Sequence, residues 1–346
     1  MDKSLLVTGG AGFIASNFIH YWIKKYPEDK LIILDSLSYA GNLDSIKEKI
    51  KERKVDFIKG NINDQDLIRK ILYENNISHV INFAAETHVD RSIKSPMIFI
   101  ETNILGTYNL LESFKEHWEK NDKQNYFRFI HISTDEVFGS LEPNENPFTE
   151  ISPYKPRSPY SASKASSDHL VKAWYETYGL PTLITNCSNN YGPYQYPEKL
   201  IPLTITNILR NREIPVYGDG LNVRDWLYVE DHCEAIDLII EKAIPGESFC
   251  IGGNNELRNI DLINKICDLV DANVPNFNLE LKNKTSSKLI NFIDDRLGHD
   301  KRYAIDSTKL YEKLKWRPKV NFNEGILFTI KWYLENRFWW EKFVKD

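Results

Sequence analysis

Two neighbouring acids, Asp135 and Glu136, stand in the stretch ISTDEVFGS, directly after the apolar run FRFIHIS. Three chemistries compete for them. Ser133 and Glu136 fit S-x-x-E, the capping box that closes a helix start. A metal would need further ligands, and no histidine or additional acid is spaced to complete a set. Proton transfer is the third reading. Two close carboxyls do not both ionise readily, so one keeps its proton near neutral pH while the other can accept one. In an extended strand neighbouring side chains point to opposite faces, so both acids reach one pocket only if the strand ends and turns at Asp135.

Farther on, YSASK sets Tyr160 and Lys164 four apart on one helix face. A lysine beside a phenol, with a cationic nicotinamide near, lowers the phenol's pKa and makes it a usable base. The spacing recurs at Tyr21/Lys25 and Tyr311/Lys315. Only Tyr160 follows a fifth strand and opens a helix, at the sheet edge where open α/β folds bind ligands; the other two pairs read as surface or packing. Near the start, LLVTGGAGFIAS carries Gly10, Gly12 and Ala15 as G-x-G-x-x-G/A between a strand and a helix. Such a turn lets backbone approach a pyrophosphate at a helix N-terminus. Asp35 ends the second strand twenty residues after Ala15, where an acid holds both ribose hydroxyls of NAD and repels the extra phosphate of NADP. With a hydride acceptor present, oxidising a sugar hydroxyl to a ketone acidifies the adjacent C–H. One carboxylate can take that proton while a carboxylic acid protonates a departing hydroxyl, which is a β-elimination of water.

The elements that must position these groups are short apolar runs alternating with helical patterns. Strands are expected at 4–8, 30–35, 55–60, 79–85, 126–133 and 182–188, and helices to about Tyr26, at 66–75, 99–118 and 160–179. That alternation builds a parallel sheet with helices on both faces. From residue 189 the texture changes to longer loops rich in Pro, Gly and Asn, with shorter strands such as EIPVYG and DWLYV. The expected division is 1–188, mainly a dinucleotide-binding domain, and 189–346, mainly a substrate-binding region with some chain crossing back to the sheet. The aromatic, amphipathic IKWYLENRFWWEKF mixes charges of both signs, so it is expected to pack on the body or a partner subunit and not on a membrane.

Composition excludes other classes. A net charge of −5 and pI near 6 lack the basic field of a nucleic-acid or membrane-surface binder. The four cysteines, Cys187, Cys233, Cys250 and Cys267, form no C-x-x-C pair and read as buried thiols in a reducing compartment. The opening apolar stretch is too short for a signal peptide, and no run approaches the ~18 residues of a membrane span, so a cytoplasmic location is expected.

Beyond these readings, TGGAGFIAS, LDSLSYAGN, FAAETHVDRSI, ETNILGT, STDEVFG, YSASK, NCSNNYGPYQYPEKLIP, YGDGLNVRDWLYVEDH and DRLGHDKRYAID run through nearly the whole chain. In these motifs it resembles the extended short-chain dehydrogenase/reductases, and among them the nucleotide-sugar 4,6-dehydratases. Related 4-epimerases generally lack the Asp-Glu pair. The resemblance implies a doubly wound, Rossmann-like parallel sheet with a smaller C-terminal substrate-binding region, bound NAD, and dTDP-glucose as substrate. UDP-glucose is the alternative substrate, and a catalytically silent dinucleotide-sensing protein the alternative of another class.

The resemblance also implies roles. Tyr160 takes the proton of the glucose 4-hydroxyl, Lys164 tunes it and holds the nicotinamide ribose, and Thr134 bonds the 4-oxygen. Glu136 takes the proton on carbon 5, and Asp135 protonates the leaving hydroxyl on carbon 6. NAD contacts are implied for Gly9, Gly10, Gly12, Phe13, Ile14, Asp35, Ser36, Leu37, Ser38, Asn61, Ile62, Phe83, Ala84, Ala85, Glu86, Thr102 and Asn190, besides Tyr160 and Lys164. Nucleotide-sugar contacts are implied for Thr87, Thr134, Asn189, Lys199, Leu200, Pro215, Val216, Tyr217, Arg224, Asn259, Asp295, Arg296 and His299. Arg224 and Arg296 would be the local cations that a diphosphate requires in an acidic chain. Ala15, Asn61, Phe138 and Leu297 depart from the family's usual residues, none of them in the acid pair. A homodimer is implied, with helices near 95–118 and 160–178 meeting their mates in a four-helix bundle.

Overall fold

In the computed structural model, which describes residues 3–274 and 285–344, seven parallel strands form one sheet. They are β1 (Ser4–Thr8), β2 (Lys30–Asp35), β3 (Asp56–Lys59), β4 (His79–Asn82), β5 (Arg128–Thr134), β6 (Thr182–Cys187) and, from the later half of the chain, β10 (Ser248–Ile251). Their order is β10-β6-β5-β4-β1-β2-β3. The chain winds one way from β1 to β3 and the other way from β4 onward. This leaves a crevice at the carboxyl ends of β1 and β4, where Thr8 pairs in register with Asn82.

The strands are apolar on both faces because helices cover both. Along β1, Leu5 and Val7 enter one core with Phe18, Trp22 and Ile33, while Leu6 enters the other with Ile32, Val80 and Phe114. The fourth strand is shorter than the apolar run HVINFAA, since Phe83 onward leaves the sheet to line the crevice. The helix expected over 99–118 spans 97–120 and is interrupted by a wider π-type turn at Ile100–Leu105. That turn directs Asn103 inward, where its amide donates to the Ser163 hydroxyl at 2.8 Å and brackets the Glu86 backbone at 2.9 and 3.1 Å.

The later half builds its own core around Tyr191, Ile205, Trp226, Leu262, Tyr333 and Trp340. Its strands are β7 (Asn189–Tyr191), β8 (Ile214–Tyr217), β9 (Val223–Tyr228), β11 (Glu256–Arg258) and β12 (Ile290–Ile293), in a three-stranded sheet β11-β9-β7 and a parallel pair β12-β8. The C-terminal aromatics pack on the body. Trp339 donates its indole N–H to Ser45 Oγ at 3.2 Å, and Lys342 Nζ reaches Asn42 Oδ1 at 2.9 Å. The end of the second half thereby holds the loop that follows β2 in the first.

Candidate active site

A cavity of about 450 Å³ fills the crevice between the glycine turn and the end of β5. On its first side Gly9 adopts φ +68°, and a Cβ there would lie 2.8 Å from the Ala84 backbone. Only glycine lets the chain after β1 lie flat against the chain after β4. Gly12 caps the helix Phe13–Lys25 without any side-chain bond, and no acid occupies its first turn. The amide hydrogens and the positive end of the dipole therefore face the cavity. Asp35 Oδ2 accepts from Ala11 N at 2.9 Å and Oδ1 from Leu37 N at 2.7 Å. Burial raises its pKa, and these two amides oppose the rise. A cradle that a Cβ would fill, an open helix N-terminus and an acid ending β2 together fit a dinucleotide.

Of the cofactor positions, Gly9, Gly12, Phe13, Ile14, Asp35, Ser36, Ser38, Asn61, Ile62, Phe83, Ala84, Ala85, Glu86, Thr102, Tyr160, Lys164 and Asn190 line this cavity. Gly10 and Leu37 stand off its wall. At Gly10 a Cβ would meet the Ile33 side chain at 2.4 Å. Leu37 takes φ 55°, which turns its N–H toward Asp35.

At the other end β5 stops at Thr134, and a tight helical turn begins at Asp135, where the adjacency of the acids required it. The capping role expected of Ser133 is not observed. Thr134 caps the turn, its hydroxyl accepting from Glu136 N at 3.3 Å and donating to Asp135 Oδ1 at 3.2 Å. Ser133 instead donates to Asp168 Oδ2 at 2.9 Å, because a buried carboxylate binds a hydroxyl more strongly than an amide N–H does.

The two acids have different surroundings. Asp135 is buried and its Oδ2 has no protein partner. Burial, then Glu136 and Asp225, push its pKa well above the usual carboxylate range. Burial also raises Glu136, but Arg296, Arg224 and Lys199 pull it back. The balance favours the neutral form more at Asp135, which stands just behind the cavity wall, than at Glu136, which is on it.

Tyr160 sits in the first turn of the helix Pro159–Tyr178. Ser158 and Ser161 form a reciprocal capping box at its start, with both bonds at 3.0 Å, and Pro159 occupies the first helical position. Lys164 Nζ donates to the Ile132 carbonyl at 2.9 Å. Burial pulls its pKa down to about 8, opposed by Asp168. The expected lowering of the phenol does not come from the chain itself. Burial first, then Glu136 and Cys187, push Tyr160 well above its ordinary value, and the nearby Thr134 hydroxyl works against them. Desolvation outweighs the neighbouring lysine, whose ammonium is turned to a backbone carbonyl.

The other two tyrosine–lysine pairs are elsewhere. Tyr21 donates to Asp237 Oδ2 at 2.7 Å, and Lys25 pairs with the same carboxylate. Lys315 lies 5.4 Å over the Tyr311 ring.

Among the substrate positions, Thr87, Thr134, Asn189 and Lys199 line the same cavity, and Lys199 Nζ donates to the Thr87 carbonyl at 3.1 Å. The remainder stand beyond that wall. Leu200 opens the helix Leu200–Leu209, and Pro215, Val216 and Tyr217 lie in β8. Tyr217 donates to Asp90 at 3.2 Å, and His299 Nδ1 sits 2.6 Å from Asp295 Oδ1. Arg224 is buried, with its guanidinium on the Val223 and Asp300 carbonyls at 2.7 and 2.9 Å and 4.3 Å over the Tyr303 ring. Arg296 Nε is buried without a protein partner, a free donor that suits an anionic oxygen, and Asn259 Oδ1 is likewise unpartnered, a free acceptor that suits a ligand N–H or O–H.

Sequence reasoning did not single out Cys187, Gln195, Tyr196 and Glu198, which also line the cavity. Glu198 accepts from Tyr39 at 2.9 Å across the cleft. No spacing rule marks them. Asp168 carried a readable signal, since it follows Lys164 by four residues on the same helix.

A family profile described as GDP-mannose 4,6 dehydratase matches residues 6–328. A dTDP-glucose 4,6-dehydratase of Xanthomonas campestris is 49% identical over 336 residues, covering 96% of this chain and 94% of that protein. A dTDP-glucose 4,6-dehydratase from Bacillus anthracis, solved with NAD, matches with a TM-score of 0.87 at 42% identity over 99% of this chain and all of the other. One from Streptomyces venezuelae, also with NAD bound, gives 0.89 at 42% identity with the same coverage.

Proposed function

This chain belongs to the dTDP-glucose 4,6-dehydratases, and on that premise we infer how its residues divide the removal of water from dTDP-glucose. The protein is an NAD-dependent hydro-lyase that converts dTDP-glucose to dTDP-4-keto-6-deoxyglucose. Bound NAD supplies a hydride acceptor for carbon 4, a donor for carbon 6, and a positive nicotinamide ring that opposes the burial of the phenol. Tyr160 takes the proton of the 4-hydroxyl, Lys164 steadies the phenolate, and the Thr134 hydroxyl bonds the 4-oxygen. Glu136 then takes the proton on carbon 5, which the 4-keto group has acidified. Asp135 gives its proton to the 6-hydroxyl as water leaves.

The observation that carries this division is the unequal setting of two adjacent carboxyls. Asp135 is buried just behind the cavity wall, where burial raises its pKa, and Glu136 is on that wall, where Arg296, Arg224 and Lys199 oppose the rise. The glycine turn, helix N-terminus and Asp35 would hold the cofactor, and Arg224, Arg296 and Lys199 the diphosphate. The first 188 residues would mainly bind NAD and the remainder mainly the nucleotide sugar.

Purified protein offered dTDP-glucose and UDP-glucose separately tests the assignment. A product lighter by one water, without net cofactor reduction and faster with dTDP-glucose, is expected. Unchanged mass with both sugars sinks it. The relatives' substrate favours the thymidine sugar over UDP-glucose. The intact proton-transfer residues favour an enzyme over a silent sensor.

A homodimer through the helices 97–120 and Pro159–Tyr178 accords with Met97, Ile98, Leu105 and Tyr108 lying exposed along one of them. A cytoplasmic location accords with four buried, unpaired thiols. No helix among the described residues is long and apolar enough to cross a membrane.

A further inference from the structure

Behind Lys164 lies a polar cluster that none of the roles above uses. Asp168, one helical turn beyond the lysine, is buried. Its Oδ2 accepts from Ser133 Oγ at 2.9 Å, Tyr154 OH at 2.9 Å and Asn186 Nδ2 at 3.1 Å. Its Oδ1 faces His131 Nε2 at 3.4 Å. His131 and Ser133, two apart on β5, share the face toward this helix.

A series of hydrogen bonds runs into the cluster from the sheet. The Ala84 backbone amide can only donate, and it does so to Thr8 Oγ1 at 3.3 Å. The Thr8 hydroxyl donates in turn to Asn82 Oδ1 at 2.7 Å. Asn82 then presents its NH2 to His131 Nδ1 at 3.2 Å. An imidazole that accepts at Nδ1 carries its proton on Nε2, which points at Asp168. The ring is neutral, since burial and then Lys164 hold its pKa well below the ordinary value.

Lys164 Nζ lies 3.3 Å from that same Nε2. A nitrogen already bearing hydrogen cannot accept from an ammonium. The lysine's hydrogens are left for the Ile132 carbonyl and the cavity. The carboxylate, held by three donors on Oδ2, is the nearby anion that offsets the ammonium's desolvation.

We propose that Asp168 is a positioning residue for the Tyr160–Lys164 pair: held by Ser133, Tyr154 and Asn186, with the His131 imidazole between it and the lysine, it supplies the counter-charge that keeps Lys164 an ammonium beside the cavity. This rests on the role given to Lys164 above. The titratable groups facing the lysine are Tyr160 and Asp168 on its own helix, His131 on β5 and Cys187 on β6. The thiol, pushed up to about 12 by burial, stays neutral.

Two measurements on the NAD-bound protein test the proposal. In the first, the pH profile of carbon 4 oxidation is followed in Asp168→Asn. Loss of the counter-charge moves the alkaline limb down by roughly one pH unit, whereas loss of a mere hydrogen-bond acceptor lowers the rate alike at every pH. In the second, thermal unfolding is compared for the parent, Asp168→Asn, Lys164→Met and the double variant. The asparagine substitution should cost less melting temperature in the methionine background than in the parent, because there it removes an anion already deprived of its cation. An unmoved alkaline limb, or equal costs in both backgrounds, overturns the proposal. Should Asp168→Asn alone not fold, a folded double variant supports the pairing and an unfolded one overturns it. The unfolding series needs no sugar, so failure of the dehydratase reading would appear separately, in the parent protein's turnover.

Discussion

Tyr21 and Lys25 on the helix Phe13–Lys25 have the same spacing as Tyr160 and Lys164 on the helix Pro159–Tyr178. In the first pair both side chains converge on one carboxylate, Asp237, which Tyr26 also reaches at 2.9 Å. Burial and that anion push the Tyr21 phenol upward and spend its hydroxyl on a structural bond. In the second pair the nearby carboxylate lies behind the lysine and takes its hydrogen bonds from other groups, so the phenol stays available to the cavity. Four-residue spacing brings a phenol and an ammonium together; the placement of the nearest anion decides whether the result is a staple or a base.

The contrast breaks most readily at the phenols. Tyr160→Phe should slow formation of the 4-keto product by about 10²–10⁴-fold, while Tyr21→Phe leaves turnover within about twofold; similar losses at both would erase the distinction. Glu136→Gln should cost about 10²–10³-fold in water loss, yet still oxidise carbon 4, so absorbance of reduced cofactor should build up on the enzyme. Elimination at the parental rate would remove Glu136 from its role.

The lysines differ in pH response. Lys164 has a folded pKa below its unfolded value, so its ammonium is present below about 8 and lost as pH rises through it. Turnover should fall about tenfold per unit beyond that limb. Lys25, raised by Asp237, keeps its charge there, and Lys25→Met should leave the profile unmoved. The smallest effects are on stability. Asp237→Asn should cost about 1–3 kcal/mol in denaturant unfolding, and Ser158→Ala, which removes the cap under Tyr160, about 1 kcal/mol, with only the latter altering kcat.

The sequence made local features legible and hid those that need strands side by side. The glycine turn, the acid ending β2 and the break at Asp135 follow from conformational demands of single residues, and each stands where expected. The capping-box reading of Ser133 fails because its partner, Asp168, lies thirty-five residues away and is adjacent only once β5 packs on the helix Pro159–Tyr178. The bond series from Ala84 to His131 crosses β1, β4 and β5, so no window along the chain contains it. The short strands β7, β11 and β12 were likewise invisible, since three or four residues carry too little pattern to separate strand from loop.

The bonds from Trp339 to Ser45 and from Lys342 to Asn42 span nearly the whole chain. A ribosome releases the loop after β2 long before it makes the residues that fasten it. During synthesis the first half can pair its early strands, but β10 follows only after β6 to β9, and the aromatic clasp later still. Secure housing for the cofactor is therefore a late event in the life of each molecule, and chains broken off before Trp339 would carry the glycine turn without the clasp that secures its neighbouring loop.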